Sequence, residues 1–244
     1  MLVAAFWGLV GGLALLLGAL LGIFAPVSNR VVGLVMAFGA GVLISAVSFE
    51  LTEEAFSSGG AVPVVTGLVA GALTFFAGDW AIDRAGGHRR KSPTGQPQAG
   101  AGAGALVLGA LLDGIPESAA IGVSLLGGGA IGLPMVAAVF LSNVPESMSA
   151  SAGLRRAGHS VRSILLMWSA ATAVCALAAG LGYVLLDGAP EEVVAVIKTF
   201  AAGAIITMLA DTMVPEATEH AGRWVGLLTV LGFAAAFLLS AAAA

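Results

Sequence analysis

Cysteine occurs once in 244 residues, histidine three times, and charged side chains make up only 10% of the chain. Each scarcity excludes something. A single thiol, Cys175, can form neither an intrachain disulfide nor a cysteine-rich metal cluster, and in its apolar run it reads as a small hydrophobe. The histidines are too few and scattered for a zinc motif such as HExxH, which argues against an intramembrane metalloprotease and against enzymatic activity. Soluble domains carry roughly 25% charged residues, so this chain lacks the means to cover a water-facing surface. There is no basic stripe of the kind nucleic acid requires, and the formal net charge is −4.

What the chain has instead is hydrocarbon: 59% of its residues are hydrophobic. That composition specifies an integral membrane protein, and an all-α one, because open strands cannot satisfy their backbone in lipid. Apolar runs separated by glycine, proline or charge predict eight transmembrane helices, at 2–24, 31–52, 61–83, 101–126, 131–153, 160–186, 193–214 and 222–241. The first run lacks a positively charged start and is long enough to span, so it reads as a retained helix rather than a signal peptide.

Basic residues set the orientation. With both termini outside, the inner loops hold Arg30, Arg84, Arg89, Arg90, Lys91, Arg155, Arg156, Arg162 and Arg223, leaving Lys198 as the one exception among ten Lys and Arg. The expected location is the plasma (inner) membrane, crossed many times. Residues 84–100, polar and rich in Gly and Pro, form a cytoplasmic loop in which His88 reads as solvated.

Internal similarity adds an architecture. "FGAGVLIS" at 38–45 resembles "FAAGAIIT" at 200–207, an offset of 162 residues that also pairs Glu54-Ala55 with Glu216-Ala217. "LLDGIPESAA" at 111–120 resembles "LSNVPESMSA" at 141–150. On the proposed topology the members of each pair run in opposite directions, as in the inverted repeats of secondary transporters. The reading is a single transport domain over 1–244, a 3+2+3 helical bundle. Residues 1–83 form a first repeat, 84–100 the loop, 101–153 a central helix pair and 154–244 a second repeat.

The central pair carries the chemistry. Asp113 and Glu117 lie 12 and 16 residues into the fourth span, near mid-membrane at roughly 1.5 Å per residue. Four apart, they share a helix face; Asn143 and Glu146, three apart in the fifth span, share another and reach the same depth beside Ser142. An ionised carboxylate at the bilayer centre costs at least about 2.5–3.5 kcal/mol. No Lys, Arg or His occurs at that depth, so the counter-ion points to a bound cation. Pro116 and Pro145 lack an N–H and free the carbonyls of Leu112 and Leu141, completing an oxygen-rich cage suited to a divalent cation. Glu50, Asp79, Asp211, Glu216 and His220, towards the span ends with Glu53, Glu54, Asp83 and Glu219, are candidate entrance or exit groups.

These features resemble the ZIP (Zrt/Irt-like protein) family of divalent-metal transporters, of bacterial type. The likeness covers nearly the whole chain: eight spans, the three-two-three repeat, a loop after span three, paired Pro-Glu motifs, and the stretch "FAAGAIITMLADTMVPEATEH". The family's span four usually reads His-Asn-x-Pro-Glu-Gly, where this chain has Asp113-Gly114-Ile115-Pro116-Glu117-Ser118. The resemblance implies that Asp113, Glu117, Ser142, Asn143 and Glu146 occupy positions of the family's metal centre. It also implies alternating access, with the middle helices moving against the flanking repeats and the ion carried into the cytoplasm. Asp113 in place of histidine, and Gly114 in place of a side-chain ligand, weigh against a two-metal site. They also shift the expected preference towards Mn²⁺ or Fe²⁺ without excluding Zn²⁺ or Cd²⁺. In span six the polar candidates are Ser169, Thr172 and Cys175.

The expected partners are a transported divalent metal ion and the lipid bilayer, with no prosthetic group and no nucleic acid. "GLVGG" and "GLVAG" allow close helix packing, within one protomer or in a homodimer. Two alternatives keep the same residues: a proton-coupled carrier of a small solute, with the acids as proton relays, and a metal-binding relative that does not transport.

Overall fold

A computed structural model describes residues 1–25, 27–84, 101–126 and 133–243, the side chains of 101–107 and 243 excepted. The expected loop at 84–100, His88 included, lies outside the described residues beyond Arg84.

Every regular element among the described residues is helical. In order these are α1 (Leu2–Phe24), α2 (Asn29–Ala46), a π segment (Val47–Glu53), α3 (Glu54–Gly59), α4 (Ala61–Arg84), α5 (Ala101–Ser124), α6 (Leu133–Arg156), α7 (Val161–Leu186), α8 (Glu191–Met208), a second π segment (Leu209–Met213), α9 (Val214–Ala221), a 3₁₀ turn (Gly222–Trp224) and α10 (Val225–Ala243). Local chemistry sets several ends. Ser28 and Ser160 cap α2 and α7 by accepting from the backbone N–H groups of Val31 and Ser163. Gly60, with φ of 76°, ends α3 in a conformation that a side chain would disfavour.

Five helical runs are long and apolar enough to cross a membrane: Leu2–Phe24, Asn29–Gly59, Ala61–Arg84, Val161–Leu186 and Glu191–Ala242. The chain is therefore an all-α membrane protein. As one straight rod the last run would measure about 78 Å at 1.5 Å per residue, over twice the hydrocarbon thickness. Gly222, with φ of 59°, interrupts it between α9 and α10. Helices α5 and α6, which carry the two Pro-Glu motifs, are not among the five, and each keeps its proline inside the helix.

The helices pack in two groups. One contains α1, α5, α6 and α7; the other contains α2, α4, α8 and α10 with the short α3 and α9. Leu15, Ala19, Leu154, Ile164, Trp168 and Cys175 form the core of the first group, where Trp168 Nε1 donates to Ser151 Oγ at 2.8 Å. A larger core joins the groups: Met36, Val42 and Leu43 of α2 meet Met135, Val136 and Val139 of α6 and Ala204, Ile205 and Met208 of α8.

The 162-residue offset recurs in the backbone. Asn29–Ala46 maps onto Glu191–Met208 at both ends, and each helix runs straight into a π segment, at Val47 and at Leu209. Side-by-side packing follows the same spacing. A Cβ on Gly41 would collide with the carbonyl of Thr229, and one on Gly232 with the carbonyl of Phe38. In the equivalent seam, Gly203 faces the carbonyl of Leu68 and Gly71 that of Phe200. Helices α2 and α10 thus meet as α8 and α4 do, backbone to backbone through paired glycines.

Lys198, the one basic residue outside the inner loops, is buried in α8 and forms an ion pair with Glu54 at 2.7 Å. That pair lets the second helix run to Gly59, past the acids that read as its water-facing end at residue 52.

Candidate metal centre

Helices α5 and α6 bring the two Pro-Glu motifs into contact. Glu117 is 1% exposed, and its Oε1 accepts from Ser142 Oγ at 3.1 Å. Ser142 Oγ also lies 3.0 Å from the carbonyl of Val139. A hydroxyl has one proton, so it donates to one of these oxygens at a time. Glu117 Oε2 is buried and has no hydrogen-bond partner among the described residues.

Between the two helix groups lies a cavity of about 30 Å³, enough for one water-sized particle. Asp113 of α5 and Ser142 and Glu146 of α6 line one side; Glu216 of α9 and Thr212 of the second π segment face them, with Met36, Met208 and Met213 completing the wall. Three carboxylates around so small a volume repel one another unless a positive charge sits between them. Among the described residues no three His, Cys, Asp or Glu side chains converge tightly enough to hold an ion as they stand. The groups line a chamber without forming a closed coordination shell.

Two of the five expected centre residues are turned elsewhere. Glu117 lies behind the wall on Ser142, and the Asn143 side chain donates through Nδ2 to the carbonyl of Gly11 on α1 at 3.2 Å. Of the span-six candidates, Thr172 donates to the carbonyl of Gly12 and Ser169 is exposed. Cys175 alone approaches the motif, with Sγ 4.0 Å from the carbonyl of Gly114.

The expected end groups separate in the same way. Glu216, placed by sequence near an exit, lines the central cavity and accepts from Ser149 Oγ at 3.1 Å, with His220 Nε2 3.8 Å from the same oxygen. Ser149 and His220 line a second cavity of about 50 Å³ together with Asn29, Met148 and Arg156. Glu216 thus stands on the wall of one cavity with partners on the wall of the other. Asp211 is exposed, and its neighbour Thr212 faces the centre instead. Asp79 is buried in α4 and lines neither of these cavities. Glu50 accepts from Ser240 Oγ at 3.2 Å.

Sequence reasoning missed Thr212, Ser149 and the three methionines. For Glu216 a signal was present: Val214-Pro215-Glu216 repeats Val144-Pro145-Glu146, a third Pro-Glu step.

No family model matches the chain. It is 29% identical over 208 residues to an Arabidopsis thaliana protein named "Putative zinc transporter"; the match covers 84% of this chain. The chain spans about a third of that relative's length, since 33% of the relative is covered.

Proposed function

We propose that this protein is a carrier of divalent metal cations, not an enzyme, and that zinc-class ions pass through the chamber lined by Asp113, Ser142, Glu146 and Glu216. The observation that carries this reading is the convergence of three carboxylates, a hydroxyl and three thioethers on one small cavity between two helix groups. Oxygen ligands alone favour Mn²⁺ or Fe²⁺; the sulfur of Met36, Met208 and Met213 moves the preference towards Zn²⁺ and Cd²⁺. The name of the plant relative agrees with zinc as cargo.

The ion is the substrate, and the chain's part is to exchange its water for fixed oxygens and then release it. Asp113, Glu146 and Glu216 supply charge, Ser142 and Thr212 supply neutral oxygens, and Glu117 holds the Ser142 hydroxyl from behind. Glu216 then hands the ion towards Ser149 and His220, on the side where Arg156 marks the cytoplasm. Asn143 and Cys175 serve as structural neighbours of the chamber.

Eight crossings in a 3+2+3 inverted repeat, with both termini outside a plasma membrane, form the architecture that goes with this reading. The 162-residue correspondence of helices, π segments and glycine seams supports the repeat. One helix group moves against the other and exposes the chamber to each side in turn.

Zinc uptake into proteoliposomes tests the reading. Asp113→Ala and Glu216→Ala should each abolish uptake in protein that still inserts. Wild-type rates in both variants would overturn it.

A further inference from the structure

At the end of α6 away from the second cavity, one carboxylate is held by both helix groups. Glu50 sits in the middle of the first π segment. It accepts from Ser240 of α10 at 3.2 Å, and its carboxylate also engages the backbone N–H of Met135. Met135 lies in the first turn of α6, where the N–H groups have no partner within the helix and the helix dipole favours an anion. The neighbouring Phe49 packs on Phe233 and Phe237 of α10, with ring centroids 6.0 and 5.4 Å away, so the π segment is seated on that helix. Lys198 holds Glu54 close by, leaving Glu50 as the carboxylate that crosses to α6.

We propose that Glu50 is a positioning residue, a latch that fastens the first turn of α6 to the α2–α10 pair and so closes this end of the chamber while the His220 end carries its cavity. The inference rests on the carrier reading for its place in a transport cycle. Its geometry does not depend on that reading. α6 is one helix from Leu133 to Arg156, so Met135 and Ser142 are about 10 Å apart along a single rod, and Met135 and Arg156 about 32 Å. Releasing Met135 therefore frees the rod that bears Ser142 and Glu146, at the end opposite Arg156. A π segment is a common place for a helix to carry such a contact, because the extra residue per turn re-aims the side chain and weakens the local ladder. This role differs from the entrance ligand that sequence suggests for Glu50, which would touch the ion and set its affinity.

The test separates the two roles. Val139, fully buried on α6 between Met135 and Ser142, is replaced by cysteine in a Cys175→Ser background. Modification by a membrane-impermeant maleimide added from the Glu50 side is then timed in proteoliposomes. Zinc affinity is measured in parallel by calorimetry on the full chain. Glu50→Ala should speed modification about tenfold, the scale of one charge-assisted hydrogen bond, with zinc affinity unchanged. Ser240→Ala, a milder change on α10, should give a smaller acceleration in the same direction, and it covers the case in which Glu50→Ala does not fold. Unchanged modification in both variants overturns the latch, as does a tenfold loss of zinc affinity without faster modification. If wild-type protein moves no metal while Glu50→Ala still opens Val139→Cys to the reagent, the carrier reading fails and the latch stands.

Discussion

Ser142 reaches across from α6 to Glu117 on α5, 3.1 Å from hydroxyl to carboxylate, and this is the one direct side-chain link between the two Pro-Glu motifs among the described residues. It separates a carboxylate that faces the chamber, Asp113, from one that sits behind it.

The Ser142→Ala variant should therefore lose stability as well as transport. Glu117 is buried, with Oε2 already unpartnered among the described residues, so removing the hydroxyl leaves both oxygens without a donor. The expected cost is about 1–3 kcal/mol, read as a lower melting temperature in detergent. Ser142→Thr, which keeps the hydroxyl, should restore most of it.

Glu216 and Asp211 are five residues apart but should behave oppositely. Glu216→Gln should depress zinc uptake as severely as Asp113→Asn, whereas Asp211→Asn, on the exposed side of the π segment, should leave it near wild type. Ser149→Ala, which frees the Glu216 carboxylate from its donor, should weaken zinc binding roughly 10–100-fold. Equal losses for Asp211→Asn and Glu216→Gln would contradict the arrangement.

The Lys198–Glu54 pair makes an asymmetric prediction. The lysine side chain is 6% exposed and the glutamate 54%. Glu54→Ala strands a buried ammonium, while Lys198→Met leaves a carboxylate that water can reach. Thermal unfolding should rank Glu54→Ala as clearly the more damaging. The reverse ranking would show that Lys198 is not held by Glu54.

Sulfur in the chamber wall is tested by a volume-conserving change. Met208→Leu and Met213→Leu keep the packing and remove the thioether. Uptake of Cd²⁺ relative to Mn²⁺ should fall several-fold in the double variant, an estimate that follows from ligand softness alone. A constant ratio would reduce these methionines to packing.

The apolar runs were readable from composition because burial in lipid demands an unbroken length; the first was expected at 2–24 and occupies Leu2–Phe24. The depth argument also paired Asp113 with Ser142 and Glu146, which share the chamber. What escaped was geometry without a compositional trace. A π segment changes which side a residue faces but not its identity, so Asp211 read as the inward acid when Thr212 and Glu216 are the ones turned in. Glu54 read as a helix end because its partner, Lys198, lies far along the chain. Met36, Met208 and Met213 look like ordinary core residues in any linear pattern, and only the three-dimensional wall shows which of the chain's methionines meet the carboxylates.

The glycine seams impose a rule on how this sequence can drift. Opposite each of Gly41, Gly71, Gly203 and Gly232 stands a carbonyl oxygen, not a side chain. Backbone cannot be trimmed by mutation, so no second-site change on the facing helix can make room for even a methyl group. These four positions are locked singly rather than in co-varying pairs. Substitution has to accumulate on the outward faces of the same helices, where Val62, Val69, Leu73 and Leu231 already stand exposed.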